Sequence, residues 1–264
     1  MSPVERNISS AGDEPTSVVR RISDLLAAFG PTDTALGVNE LTRRTGIPKA
    51  TVSRLVKEME GVGFLERSGV KVGLGLRLFE LGERASRRRS VREVALPFLA
   101  DLREATRQTV HLAILDGAEV VYVEILPGRD APWLPSGVGG RLPAHATGVG
   151  KALLAGSPPA AFEAVVAAGL SRVGPRTITT PGALVRQLRR IASTGIAYEH
   201  EESAPGVACV ASAVRGGDGP PVAAVSASGW IGKVDIRRVG PAVHTTALSI
   251  TRALTEIGNR SIRR

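Results

Sequence analysis

Thr45-Gly46-Ile47-Pro48-Lys49-Ala50-Thr51-Val52-Ser53-Arg54-Leu55 joins two helical patterns through a four-residue turn. Gly46 suits a tight helix exit, and Pro48 suits the first turn of the helix that follows. In that helix Val52, Leu55, Val56 and Met59 recur at spacings of three and four, the stripe that one helix face buries. The opposite face carries Ala50, Arg54 and Lys57, with Thr51 and Ser53 on its flanks. A helix of this kind can enter a major groove: Ala50 permits close approach while Arg54 and Lys57 reach base edges or phosphates. An ordinary solvated face also carries Lys and Arg, so the helix by itself leaves both readings open.

The segments on either side favour the groove. A short helix over Val38 to Thr45, entered through Gly37 or Asn39 and closed by Gly46, precedes the turn. Before it, Val18, Ile22, Leu25 and Phe29 share one face of a helix that Thr16 or Ser17 can cap and that ends at Gly30-Pro31. After it, Phe64 to Glu66 and Val70 to Leu74 read as two short strands joined at Ser68-Gly69. Short helix, turn, second helix and hairpin is the order of a winged helix-turn-helix, whose wing would carry Arg67 and Lys71 toward backbone or minor groove.

The chain has 264 residues, 43% hydrophobic, enough for two compact cores. No stretch approaches the roughly 20 uninterrupted apolar residues of a membrane span, and no signal-peptide core opens the chain, so the expected compartment is the cytoplasm. A lone cysteine, Cys209, excludes an internal disulfide and any multi-cysteine metal site. The formal charge of +9 suits a phosphate-rich partner, although charge alone fits DNA, RNA and anionic lipid equally well. Its distribution says more: Arg43, Arg44, Lys49, Arg54 and Lys57 occupy 41–57 without an acid, and Arg84, Arg87, Arg88, Arg89 and Arg92 occupy 84–92 without one.

Past the second basic run, Val91 to Gln108 reads as a helix kinked or delayed by Pro97. Val110, Leu112 and Ile114 then alternate with His111 and Ala113, Asp116-Gly117 supplies a turn, and Val121, Val123 and Ile125 alternate again, a hairpin signal. Further strands are expected over Val207 to Val214 and Val222 to Ser228, with helices near 150–154, 160–168, 184–191 and 239–257. An antiparallel sheet flanked by helices is an α+β, sensor-like arrangement.

The turn-and-helix segment quoted above, Ser17-Val18 opening the first helix, and Leu74-Gly75-Leu76-Arg77-Leu78-Phe79-Glu80-Leu81-Gly82 together resemble the IclR family of bacterial transcriptional regulators. The resemblance extends through 142–155, Leu-Pro-Ala-His-Ala-Thr-Gly-Val-Gly-Lys-Ala-Leu-Leu-Ala, and through Gly195-Ile196-Ala197-Tyr198-Glu199-His200-Glu201-Glu202 to Gly206-Val207-Ala208-Cys209-Val210-Ala211. Family members usually carry an aromatic where Val72 stands.

The resemblance implies an α+β chain with a flexible leader (1–15), a winged helix-turn-helix (16–77), a linker helix (78–90) and a GAF-like α/β effector-binding domain (91–264). The basic run, the polar face of the third helix and the wing nominate Arg43, Arg44, Lys49, Ala50, Thr51, Ser53, Arg54, Lys57, Arg67 and Lys71 as DNA contacts. The resemblance implicates Gly148, Val149, Glu199, Val207, Cys209, Ser226 and Ser228 in holding a small organic metabolite, with an acid the favoured class. The implied partners are double-stranded DNA and further copies of the chain, as a homodimer or tetramer, with no cofactor, metal or membrane.

Enzyme patterns do not close. Gly148-Val149-Gly150-Lys151 would be a phosphate loop only with glycine in place of His145 and a hydroxyl residue in place of Ala152. His200-Glu201-Glu202 begins like a zinc-protease motif and fails at Ala204. Nothing in the sequence pairs Cys209 with His111, His145, His200 or His244. The alternative kept open is a small-molecule carrier or enzyme whose N-terminal domain serves only for dimerisation.

Overall fold

The computed structural model describes residues 17–30, 33–84, 86–129, 137–217 and 219–262. The expected leader lies outside them, as do the side chains of Arg87, Arg88 and Arg89. The chain forms two compact units, Met1–Arg84 and Ala85–Arg264.

The first unit runs α1 (Val18–Ala27), α2 (Val38–Thr45), α3 (Lys49–Gly61), β1 (Leu65–Ser68), β2 (Lys71–Leu74) and α4 (Leu76–Glu83). Ser17 caps α1 by accepting the Arg20 amide at 3.2 Å. Gly46 closes α2 with φ +69°, a left-handed turn that a side chain would strain. Leu25, Leu41, Val52, Leu55, Val56, Met59 and Leu65 form the core, with Ile22 and Phe29 packed against it, while Val18 at the start of α1 is exposed. The hairpin turn falls at Gly69-Val70, one residue later than the sequence pattern suggests, because Gly69 supplies the positive φ at the first turn position. Val72, where the family resemblance leads us to expect an aromatic, is fully buried, and its amide and carbonyl pair with Leu36 at 2.9 and 2.8 Å. That bridge ties the wing to the segment before α2 through backbone, so the smaller side chain suffices.

The second unit contains α5 (Ser86–Thr106), β3 (Thr109–Asp116), β4 (Glu119–Leu126), β5 (Arg141–Pro143), α6 (Gly148–Leu154), α7 (Pro159–Ala167), α8 (Pro181–Thr194), β6 (Ala197–His200), β7 (Val207–Arg215), β8 (Pro221–Trp230) and α9 (Ile236–Ile262). Pro97 lies inside α5 and does not delay its start: the helix buries Ala95, Leu99 and Leu102, which outweighs one missing backbone bond. Residues 78–90, read from sequence as one linker helix, are shared between α4 and α5, with Ala85 between them outside the described residues.

The six strands form one antiparallel sheet in the order β5-β4-β3-β8-β7-β6. Strand alternation sends Val110, Leu112, Val210, Val225 and Ala227 to one face, where they pack on α5 and α9. The other face sends Ala113, Ala211 and Ala224 against α6 and α8, joined by Val149, Leu153, Leu184 and Leu188. Among the described residues no helix is long and apolar enough to cross a membrane.

Candidate functional site

The exposed face of α3 carries Lys49, Ala50, Ser53, Arg54 and Lys57, with Thr51 half-buried beside them. Lys49 and Lys57 make no ion pair among the described residues, whereas Arg54 reaches Glu58 at 2.7 Å across one helical turn. On the wing Lys71 is exposed, and Arg67 bonds Glu60 at 2.6 Å. Both pairs are solvent-exposed and weakly held, so a phosphate can displace the carboxylate.

The two arginines of α2 differ from each other. Arg43 is exposed and pairs with Glu40 at 2.5 Å. Arg44 donates to Asp33, to Glu40 at 2.6 Å and to the Ala28 carbonyl at 2.9 Å, so its guanidinium joins α2 to the end of α1. The Arg43 and Arg44 hydrogen bonds hold the Glu40 carboxyl at about 2, and Arg44 with the Gly30 amide depresses Asp33. The acids that occupy Arg44 stand just outside the acid-free run of 41–57 and reach it only through folding.

In the second unit, the α6 face of the sheet borders a small, partly open cavity. Its polar floor is a row across neighbouring strands: Glu199 on β6 lies opposite Cys209 on β7, Cys209 opposite Ser228 on β8, and Ser226 on β8 opposite His111 on β3. Gly148 and Val149 of α6 form the opposite wall, and Val207 contributes at the start of β7. All seven residues implicated from sequence line this one cavity, together with His111, Tyr122, Leu142, Thr147 and Ser203. The missed signal is a polar residue on the inward side of an alternating strand, which His111 is; Leu142 and Thr147 stand inside a motif already singled out.

Close approach explains the glycines of α6. A Cβ on Gly148 would meet Cys209 Sγ at 3.1 Å, and one on Gly150 would lie 2.1 Å from the Ala144 carbonyl oxygen. The glycine pattern that looks like a phosphate loop is therefore a packing requirement. Thr147 caps α6 by accepting the Gly150 amide at 3.0 Å, and the amides of Gly148 and Val149 precede any intrahelical partner.

Glu199 is almost fully buried, and Oε1 accepts from the amides of Glu202 at 2.7 Å and Ser203 at 3.1 Å and from the Ser203 hydroxyl at 3.3 Å. Burial pushes its carboxyl up to about 7, only partly offset by the Ser203 and Glu202 amides. Behind it, Lys151 is completely buried and donates to Glu202 Oε1 at 2.5 Å and to the Tyr198 carbonyl at 3.3 Å. Glu202 Oε2 has no partner, and burial raises that carboxyl despite Lys151. The pair ties α6 to the β6–β7 turn, which Glu201 tightens: its amide donates to the Val207 carbonyl at 2.8 Å, and its carboxylate accepts the Gly206 amide at 3.0 Å.

The remaining wall is neutral. Burial pushes the Cys209 thiol up, away from thiolate chemistry, and raises the Tyr122 phenol. His111 stacks at a tilt on Tyr122, ring centroids 5.3 Å apart, and burial lowers it to about 4, which leaves it uncharged near neutral pH. Among the described residues neither lysine nor arginine lines the cavity. It offers hydroxyls, amides, an imidazole and one carboxyl that can hold or release a proton in the physiological range.

Comparison with known proteins bears on both units. A family model described as the IclR helix-turn-helix domain matches residues 18–69, and one described as the bacterial transcriptional regulator IclR C-terminal domain matches 84–252. The chain is 31% identical to the HTH-type transcriptional regulator XynR of Escherichia coli K12, over 89% of this chain and 96% of that protein. It is 33% identical to the HTH-type transcriptional repressor AllR of Klebsiella pneumoniae, over 82% of each. Among solved structures, an IclR homolog of Microbacterium hydrocarbonoxydans complexed with 4-hydroxybenzoate superimposes with a TM-score of 0.83 and 33% identity, covering 90% of this chain and 99% of that one.

Proposed function

Proceeding from the premise that this chain belongs to the IclR family of bacterial transcriptional regulators, with a helix-turn-helix DNA-binding domain and a C-terminal ligand-binding domain, we propose that α3 reads an inverted-repeat operator and that the cavity of the second unit senses a small organic acid. The observation that carries the sensing half is the polar row from Glu199 through Cys209 and Ser228 to Ser226 and His111, set beside Ala113, Ala211 and Ala224 on one sheet face. Buried polar groups gathered in one concavity are costly to fold and suit a ligand that completes their hydrogen bonds. An acid suits the α6 amides and serine hydroxyls, and Glu199 can take up a proton beside it. The Microbacterium homologue was solved in complex with such an acid, 4-hydroxybenzoate.

On the DNA side, Lys49, Ala50, Thr51, Ser53, Arg54 and Lys57 are proposed to enter the groove, with Arg67 and Lys71 on flanking backbone and Arg43 on phosphate. Arg44, tied to Asp33, Glu40 and Ala28, is proposed as the brace that sets α2. Two half-sites call for two copies of the domain. Val18 and Val19 on α1, and Leu76, Phe79 and Leu81 on α4, are large exposed apolar side chains suited to covering by a second copy in a homodimer or tetramer. A cytoplasmic location follows from this function. The proposed division of the chain is 16–77 for DNA, 78–90 as linker and 91–264 for the effector.

Selection of the purified protein on random duplexes at about 0.15 M salt, where non-specific attraction is largely screened, tests the reading. An inverted-repeat consensus is expected, with its affinity shifted by 4-hydroxybenzoate or a related acid. The ligand must bind one DNA-competence state more tightly than the other, since equal affinity shifts nothing. Binding that is salt-sensitive and without consensus would leave the N-terminal unit an assembly module.

A further inference from the structure

The pocket holds one polar group that its own fold leaves incomplete. His111 sits on the central strand β3, is 3% exposed, and its ring forms part of the cavity wall. Nδ1 faces the hydroxyls of Ser226 and Ser228 at 3.4 and 3.5 Å. Nε2 has no hydrogen-bond partner among the described residues. A hydroxyl can turn its proton toward a ring lone pair, and two of them converge on Nδ1; with a serine donating there, the proton of the neutral ring resides on Nε2. Burial keeps the ring neutral, so this nitrogen presents a donor without a competing charge.

A histidine retained only for packing has no use for an unsatisfied buried nitrogen, since a residue of similar volume would fill the space without that cost. Its neighbours across the sheet point the same way. Ser226 and Ser228 orient the ring from β8, and Tyr122 presses on it from β4. Three strands thus fix an imidazole whose Nε2 has no hydrogen-bond partner among the described residues.

We propose that His111 selects the polar end of the effector, its Nε2–H donating a hydrogen bond to a carboxylate or carbonyl oxygen of the bound molecule. The assignment rests on the acid-binding reading of the cavity and adds the residue that discriminates among its occupants. An acid or keto compound completes the imidazole, whereas a purely apolar molecule leaves it unpaired, and a site built to hydrogen-bond rejects ligands lacking the matching atom far more strongly than it rejects a missing methylene.

Three variants separate the roles of the two nitrogens. His111→Gln places an amide nitrogen near the position of Nε2, His111→Asn places one near Nδ1, and His111→Leu removes both. Calorimetric titration with benzoate and 4-hydroxybenzoate should find His111→Gln within about threefold of wild type, and His111→Asn and His111→Leu weakened by about tenfold or more. In the ligand-free protein, His111→Leu should lower Tm by no more than about 5 °C, because removing the unsatisfied Nε2 offsets the bonds lost by Ser226 and Ser228. Equal affinity in wild type and His111→Leu would overturn the assignment while leaving the pocket intact. A ligand-free loss of more than about 5 °C in His111→Leu would make His111 a packing residue and overturn it as well. If the wild type binds neither acid, the acid-pocket reading itself falls and takes this assignment with it.

Discussion

Replacing Lys151 by methionine should destabilise the effector-binding unit by about 3 to 5 kcal/mol near pH 8, the range for breaking a buried ion pair from one side. Lys151 is wholly buried and bonds Glu202 Oε1 at 2.5 Å and the Tyr198 carbonyl at 3.3 Å. Methionine fills much of the volume, so most of the cost comes from stranding Glu202, whose Oε2 already lacks a partner. For a unit of this size the loss corresponds to a fall in Tm of roughly 10 °C. Glu202 offers its own check: its carboxyl is already raised by burial, so without Lys151 it can escape the penalty by taking a proton. The defect should shrink as pH falls from 8 to 5, and Lys151→Met with Glu202→Leu should recover about 2 kcal/mol or more of it. Denaturant unfolding followed by circular dichroism at the two pH values measures all three quantities. A single-variant loss below about 1 kcal/mol that ignores pH would refute the idea that this pair closes α6 onto the β6–β7 turn.

Glu199 should give the unit a stability that declines with rising pH. Its folded carboxyl sits at about 7 against an ordinary 4.5, so between those values the native state binds more protons than the unfolded one. Its contribution is complete below about 4.5 and is lost as pH rises through 7, with a slope of at most about 1.4 kcal/mol per unit, and Glu199→Gln should flatten that part of the profile. Arg54→Ala should cost about 1 to 3 kcal/mol of operator binding at unchanged Tm, as read by fluorescence anisotropy and melting. Arg44→Ala should do the reverse, lowering the Tm of the N-terminal unit by releasing Asp33, Glu40 and the Ala28 carbonyl; a pure loss of DNA affinity would contradict its bracing role. Gly150→Ala drives a methyl group to 2.1 Å from the Ala144 carbonyl oxygen and should cost several kcal/mol, visible as aggregation or a sharply lower Tm. Wild-type melting in Gly150→Ala would mean that the turn before α6 yields.

Periodicity was legible wherever one face of an element is buried. The stripe of α3 and the alternation of β3 and β4 follow from core contacts that recur every three to four or every two residues. The helix ends were legible where a residue has a backbone role, as with Ser17 capping α1 and Gly46 closing α2. The short strands β5 and β6 escaped pattern reading, since three or four residues carry too little alternation and only pairing with β4 and β7 defines them.

The division of labour is clearest at the two sites. By itself the sequence determined that a basic helix with a small residue near its start follows a glycine turn, and that Ser226 and Ser228 point the same way along one strand, because those properties are local. Tertiary structure alone decided that Arg44 is braced by Asp33 and the Ala28 carbonyl while Lys49 and Lys57 remain without an ion pair among the described residues, because such contacts depend on which groups outside the helix the fold brings near. It also decided that His111, separated from Ser226 by more than a hundred residues, joins the pocket row. Strand order sets that encounter, and strand order is a property of the whole sheet, which no local spacing encodes.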